Sequence, residues 1–182
     1  MGNISVIDFT HLTPTELRLA ESKHLYEQFR ESGRADHDQT LFLMTMFFDS
    51  FLFCLISIEE MTSVAKKDLL RETQIFRFFK ALRNISTHHS ILTGLKDNKF
   101  PRPIARVVSL GVRTGVEDAA KFYIIPEKLS HIFDEVVKER PRERKTIDSA
   151  RAFLNTLDAS EDLIYVADLM EQVLSEVESI VA

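Results

Sequence analysis

Apolar residues recur along this chain at helical intervals, in blocks separated by polar, proline- or glycine-containing stretches. Thr13-Pro14-Thr15-Glu16 is a capping box with proline at the first helical position, and Gly33 supplies a stop, so the pattern predicts a helix over 14–32. A second helix is predicted over 38–66, because its residues are helix-compatible and no glycine or proline interrupts them. Its middle is apolar on nearly all sides, which marks a central core helix. The third helix is predicted over 69–92, before Gly94. On it Ile75, Phe78, Phe79, Leu82, Ile85 and Leu92 share a stripe about 140° wide at roughly 100° per residue, the expected core face. Three more helices follow, over 127–139 stopped by Pro141, over 146–157, and over 160–181 opened by the capping pair Asp158 and Glu161.

Between the third and fourth helices the helical period is lost. Gly94, Pro101, Pro103, Gly111 and Gly115 break residues 93–126 into an irregular insertion, in which 104–110 and 121–125 are candidates to pair as a short β-hairpin. The expected architecture is therefore all-α, a bundle of about five to six helices carrying one irregular insertion. At 182 residues it is one domain spanning 1–182.

Composition adds little until charge is mapped along the chain. With 45% hydrophobic and 28% charged residues, disorder and fibrous repeats are excluded. Cys54 is the sole cysteine and lies in an apolar run, so no disulfide framework exists, and a reducing, cytoplasmic setting is expected. The first residues carry neither a secretory nor a myristoylation pattern. Residues 41–58 are the one membrane candidate, but Asp49 and Ser50 sit at the midpoint, and a buried bundle helix with no membrane partner is the expectation. Net charge is -5, which argues against a generic nucleic-acid coat. Yet residues 76–113 hold eight basic residues and one acid, whereas 152–182 hold seven acids and no base. A chain polarised in this way can hold a polyanion on one face.

The candidate chemistry lies late in the third predicted helix, in Arg83-Asn84-Ile85-Ser86-Thr87-His88-His89. His89 falls in the apolar stripe and reads as a packed core histidine. His88 falls on the polar side, one turn from Asn84 and in line with Arg77, with Lys80 near; Arg77 and Lys80 are the candidate substrate-binding cations. Arg83 lies about 140° from His88 around an ideal helix, so the helix bends or a second copy of the chain completes the site. Phe76 lies beside Arg83 on this polar side, and an exposed aromatic there suits a homodimer interface. Asp49 on the second helix either reaches solvent or orients an arginine or imidazole of the next helix, a supporting role. The cations Lys96, Lys99, Arg102, Arg106 and Arg113 of the insertion belong to a solvated loop or to a substrate lid.

Glycine-rich phosphate loops, zinc spacings and nucleophile elbows are missing, and adjacent His88 and His89 cannot bind one metal from a single helix face. What remains is acid-base chemistry beside cationic stabilisation, with no metal and no cofactor. RNA cleavage suits this set, because RNA brings its own nucleophile in the 2′-hydroxyl. A histidine moves the protons, an arginine holds the phosphate oxygens as charge builds, and an amide fixes the ring or the ribose.

Arg83-Asn84-Ile85-Ser86-Thr87-His88 resembles the Arg-x4-His signature of HEPN-domain ribonucleases, including the polar residue after the arginine and the setting late in the third helix. Ser90 stands where one toxin branch of that family has a tyrosine two residues beyond the histidine. The resemblance covers the helical core and leaves 93–126 unmatched. It implies a homodimer with the two motifs facing across a cleft, and metal-independent endoribonuclease activity leaving a 2′,3′-cyclic phosphate. It further implies toxin-antitoxin or antiphage roles, with RNA and an antitoxin or regulatory protein as partners. Carried over, Arg83 binds phosphate, His88 is the acid-base residue and Asn84 is the supporting polar group. Two other readings stay open: a catalytically inactive helical module of this fold binding RNA or a protein partner, and a helical protein whose motif is accidental and whose residues 41–58 meet a membrane or partner.

Overall fold

Local chemistry sets the first helix, and tertiary contacts set most of the rest. The computed structural model describes residues 11–33, 37–86, 105–108, 121–157 and 164–182. Among these, α1 (Pro14–Ser32), α2 (His37–Met61), α3 (Val64–Glu72) and α4 (Gln74–Ser86) precede a hairpin, and α5 (Pro126–Glu139), α6 (Arg144–Leu154) and α7 (Val166–Val181) follow it. The fold is an all-α bundle, as the hydrophobic period predicts. The α1 start carries the expected box: the Glu16 amide donates to Thr13 Oγ1 at 3.3 Å and the Thr13 amide donates to Glu16 Oε2 at 2.7 Å.

Two helices are expected between 38 and 92, and the described residues of that span, up to Ser86, already hold three. Ser63 takes an extended backbone and caps α3, accepting from the Lys66 amide at 3.5 Å, which ends the predicted 38–66 helix at Met61. The Lys66 ammonium in turn donates to the Val181 and Ala182 carbonyls at 2.8 and 3.0 Å, fastening α3 to the end of α7. Thr73, also extended, separates α3 from α4, so the helix expected from residue 69 begins at Gln74.

Strands β1 (Ala105–Val108) and β2 (Lys121–Ile124) pair antiparallel, Ala105 opposite Ile124 and Val108 opposite Lys121, as the hairpin expectation requires. A third strand, β3 (Ile164–Tyr165), adds to β2, with Tyr123 opposite Tyr165 and their rings 5.6 Å apart. The predicted 160–181 helix is corrected there: Ile164 and Tyr165 pair as a strand, and α7 starts at Val166. The proposed cap at Asp158 and Glu161 lies outside the described residues, as do His88, His89, Leu92 and the insertion cations Lys96, Lys99, Arg102 and Arg113.

Helix α4 is packed by α2, α3, α6 and α7. Ile75, Phe78, Phe79, Leu82 and Ile85 are buried, as the stripe predicts. Phe76 is fully buried too, which corrects its expected place at an exposed interface: neighbours surround α4 and widen its apolar face. Phe78 meets Phe79 and Phe153 at 5.9 and 5.1 Å, and Phe51 meets Phe79 at 5.8 Å. Each such ring contributes roughly 1.5–3 kcal/mol of burial.

The second helix is less central than its composition suggests. Met44, Phe48, Phe51, Leu52, Leu55 and Ile58 of α2 are buried, but Phe42, Met46 and Phe53 on its other side are 68%, 40% and 56% exposed. The segment Phe42–Met61 has the length and mean hydropathy (1.7) to cross a membrane, and its inner face packs into the bundle core. Cys54 is buried, and desolvation pushes its thiol up, which fits a core residue.

Candidate functional site

Arg83 and Asn84 occupy the last turn of α4, on the side of the helix away from the core residues Leu82 and Ile85. Both are half-buried, and both line two depressions that meet at this turn. Of the sequence-predicted residues, the structure thus brings together Arg83, Asn84 and Lys80, while His88 falls outside the described residues.

The first depression, of about 280 Å³, lies between α2, α3 and α4 and is lined by Phe53, Ser57, Glu59, Glu60, Lys67, Arg71, Lys80, Arg83 and Asn84 among others. Its anchor is Glu59, a carboxylate only 4% exposed. Glu59 Oε1 accepts from Arg71 Nε at 2.7 Å and Oε2 from Lys80 Nζ at 2.5 Å. Burial alone pushes this carboxyl up, but the hydrogen bonds from Lys80 and Arg71 outweigh it and hold the carboxyl below its ordinary range. Both cations keep further N–H donors that Glu59 does not use.

The second depression, of about 210 Å³, lies between α4, α5 and α6 and adds Arg140, Glu143 and Thr146. Across it the Asn84 amide donates to Glu143 Oε2 at 3.4 Å, which fixes the side chain that follows Arg83. The Ser86 hydroxyl donates to the Arg83 carbonyl at 3.1 Å and closes the turn.

Arg77 and Asp49 lie elsewhere. Arg77 Nη2 donates back to the Glu72 carbonyl at 3.4 Å, and its buried Nε finds no partner among the described residues, so this cation turns toward the end of α3. Asp49 is exposed on α2 and forms no hydrogen bond or ion pair with the described residues, which is the solvent-reaching alternative. Desolvation by the surrounding protein, with no compensating cation, still pushes its carboxyl up to about 6.

Phe53, Glu59, Lys67, Arg71 and Glu143 were not among the sequence-level candidates. Lys67 and Arg71 stand one turn apart on α3, and that spacing is the one sequence signal for a basic helix face here. Among the described residues no three or more His, Cys, Asp or Glu side chains converge as a metal set.

No protein-family model matches the chain. No curated protein and no solved structure is significantly similar to it.

Proposed function

We propose that the chain is a metal-independent, HEPN-type endoribonuclease that works in the cytoplasm as a homodimer, each copy supplying half of a composite site. The observation that carries this reading is the position of Arg83 and Asn84, at the turn where two depressions meet and beside the cations Lys67, Arg71 and Lys80. A half-buried guanidinium lining both depressions is placed to meet a phosphodiester that enters either one.

In the proposed reaction the 2′-oxygen attacks the adjacent phosphorus, and the bond from phosphorus to the 5′-oxygen breaks. One imidazole, that of His88, takes the 2′-hydroxyl proton, and solvent water supplies the proton taken up by the departing 5′-oxygen. The products are a 2′,3′-cyclic phosphate and a 5′-hydroxyl. Arg83 holds the non-bridging oxygens while negative charge accumulates on them. Asn84, fixed by Glu143, limits the freedom of the turn that carries Arg83. Lys80 binds a flanking phosphate.

At the helical spacing expected from the sequence, Arg83 and His88 diverge, and in the proposed dimer the arginine of one copy serves the histidine of the other. The apolar surface that Phe42 and Met46 leave open on α2 supports such pairing. A toxin or antiphage role follows from the resemblance alone.

A second reading, a silent module of the same fold that binds RNA or a protein, is favoured by one observation. Glu143 places a carboxylate against Asn84, beside the point where phosphate would sit. Incubation of the purified protein with total RNA in EDTA separates the two. Cleavage by wild type and its loss by about a hundredfold or more in both Arg83→Ala and His88→Ala supports the enzyme. RNA left intact by wild type rejects it.

A further inference from the structure

We infer that the cleft between α2, α3 and α4 is a subsite for single-stranded RNA, in which Phe53 stacks on an unpaired base and Lys67, Arg71 and Lys80 hold the flanking phosphates. The inference rests on the endoribonuclease reading for its choice of RNA, and it adds residues outside the Arg-x4-His motif.

Four observations converge. Phe53 is 56% exposed at the rim of the cleft, an orientation that leaves an aromatic surface in water unless something covers it. Four cations from two helices, Lys67, Arg71, Lys80 and Arg83, line the same cleft. Two of them are held in place by one nearly buried carboxylate of the cleft wall, Glu59, which spends an oxygen on each of Arg71 and Lys80; Glu60 also lines the cleft. Lys67 makes no side-chain hydrogen bond or ion pair with the described residues, so its ammonium is available to a phosphate.

An aromatic platform beside anchored cations is how proteins hold single strands, because every base has a face to stack and every linkage has a charge to meet. The size of the cleft, about 280 Å³, sits at the small end of ligand sites and fits an unstacked base but not a duplex groove. Arg83 lines this cleft as well, so a strand seated on Phe53 runs directly toward the proposed scissile phosphate. The other candidate occupant, an acidic protein segment, would use the cations and has no need of an exposed phenyl ring.

The test is binding of the full chain to a fluorescent 2′-O-methyl oligonucleotide of about twelve residues, a length within the span of common single-strand sites. Such a strand lacks the attacking hydroxyl and cannot be cut, so affinity is read separately from catalysis. Wild type should prefer it to a duplex of the same sequence. Phe53→Ala should weaken binding about tenfold and Phe53→Tyr should restore it. Lys67→Ala should weaken binding and lower the slope of log affinity against log salt by about 0.7.

Circular dichroism and sizing confirm that each variant keeps its fold and assembly. Failure of wild type to bind, equal affinity for duplex, or unchanged binding by Phe53→Ala each overturns the subsite. So does competition in which poly-glutamate displaces the strand equally well from wild type and Phe53→Ala. The two proposals fail separately. If binding depends on Phe53 but RNA is never cut, the subsite stands without the enzyme. If RNA is cut and Phe53→Ala and Lys67→Ala leave both binding and kcat/KM unchanged, the enzyme stands without the subsite.

Discussion

Lys80 Nζ of α4 donates to Glu59 Oε2 of α2 at 2.5 Å, and the acceptor carboxylate is almost completely buried. With Arg71 on the other oxygen, this contact ties three helices together beneath the candidate cleft. A buried ion pair contributes little against an apolar replacement, but removing one partner leaves uncompensated charge.

Glu59→Gln should therefore destabilise the fold by about 2–3 kcal/mol at neutral pH, measured by urea unfolding. Its pH dependence has a definite sign. The folded carboxyl sits below the ordinary value of 4.5, so its stabilisation is present above that value and is lost as pH falls through the lower, folded one. Wild type should lose this increment in acid, and Glu59→Gln should lack it. Equal stability of the two proteins at pH 7 would contradict the role given to the clamp.

Asp49 behaves in the opposite way. Desolvation pushes its carboxyl up to about 6, so the folded chain takes up a proton more readily than the unfolded chain. Stability should fall as pH rises from the ordinary aspartate range toward about 6 and stay lower above it. Asp49→Asn should remove that fall and raise stability at pH 7 by about 1 kcal/mol, a figure reduced for the solvent that screens this exposed residue.

Phe76→Ala should cost about 3–5 kcal/mol, the expected loss when a fully buried phenyl ring leaves a cavity. Had Phe76 been an exposed interface residue, the monomer would scarcely respond. Thermal unfolding distinguishes these outcomes.

Phe42→Glu should convert the proposed dimer to monomer and lower RNA cleavage with it, because a charge would enter the apolar surface of α2. Light scattering and the cleavage assay should move together. A fully active monomer would rule out pairing through this face.

Local chemistry made α1 legible: Thr13, Pro14 and Glu16 state its start within one turn. The break at Ser63 was hidden because every residue around it tolerates a helix, and part of what fixes the break is Lys66 reaching the far end of the chain. The burial of Phe76 is illegible for a similar reason, since a helical period cannot count how many neighbours a helix will have. The Arg83 and Asn84 pair was readable as a motif. Its surroundings, Phe53, Arg71 and Glu143, are assembled from three other segments and carry no shared signal in the sequence.

Complementation tests the central claim most directly. Arg83→Ala and His88→Ala, each inactive alone, are mixed, allowed to exchange subunits and assayed on RNA in EDTA. If each site takes its arginine from one copy and its histidine from the other, mixed dimers hold one intact site. Activity should then return to about a quarter of wild type after random pairing. No recovery, although subunit exchange is confirmed by differently tagged copies, would contradict the composite site.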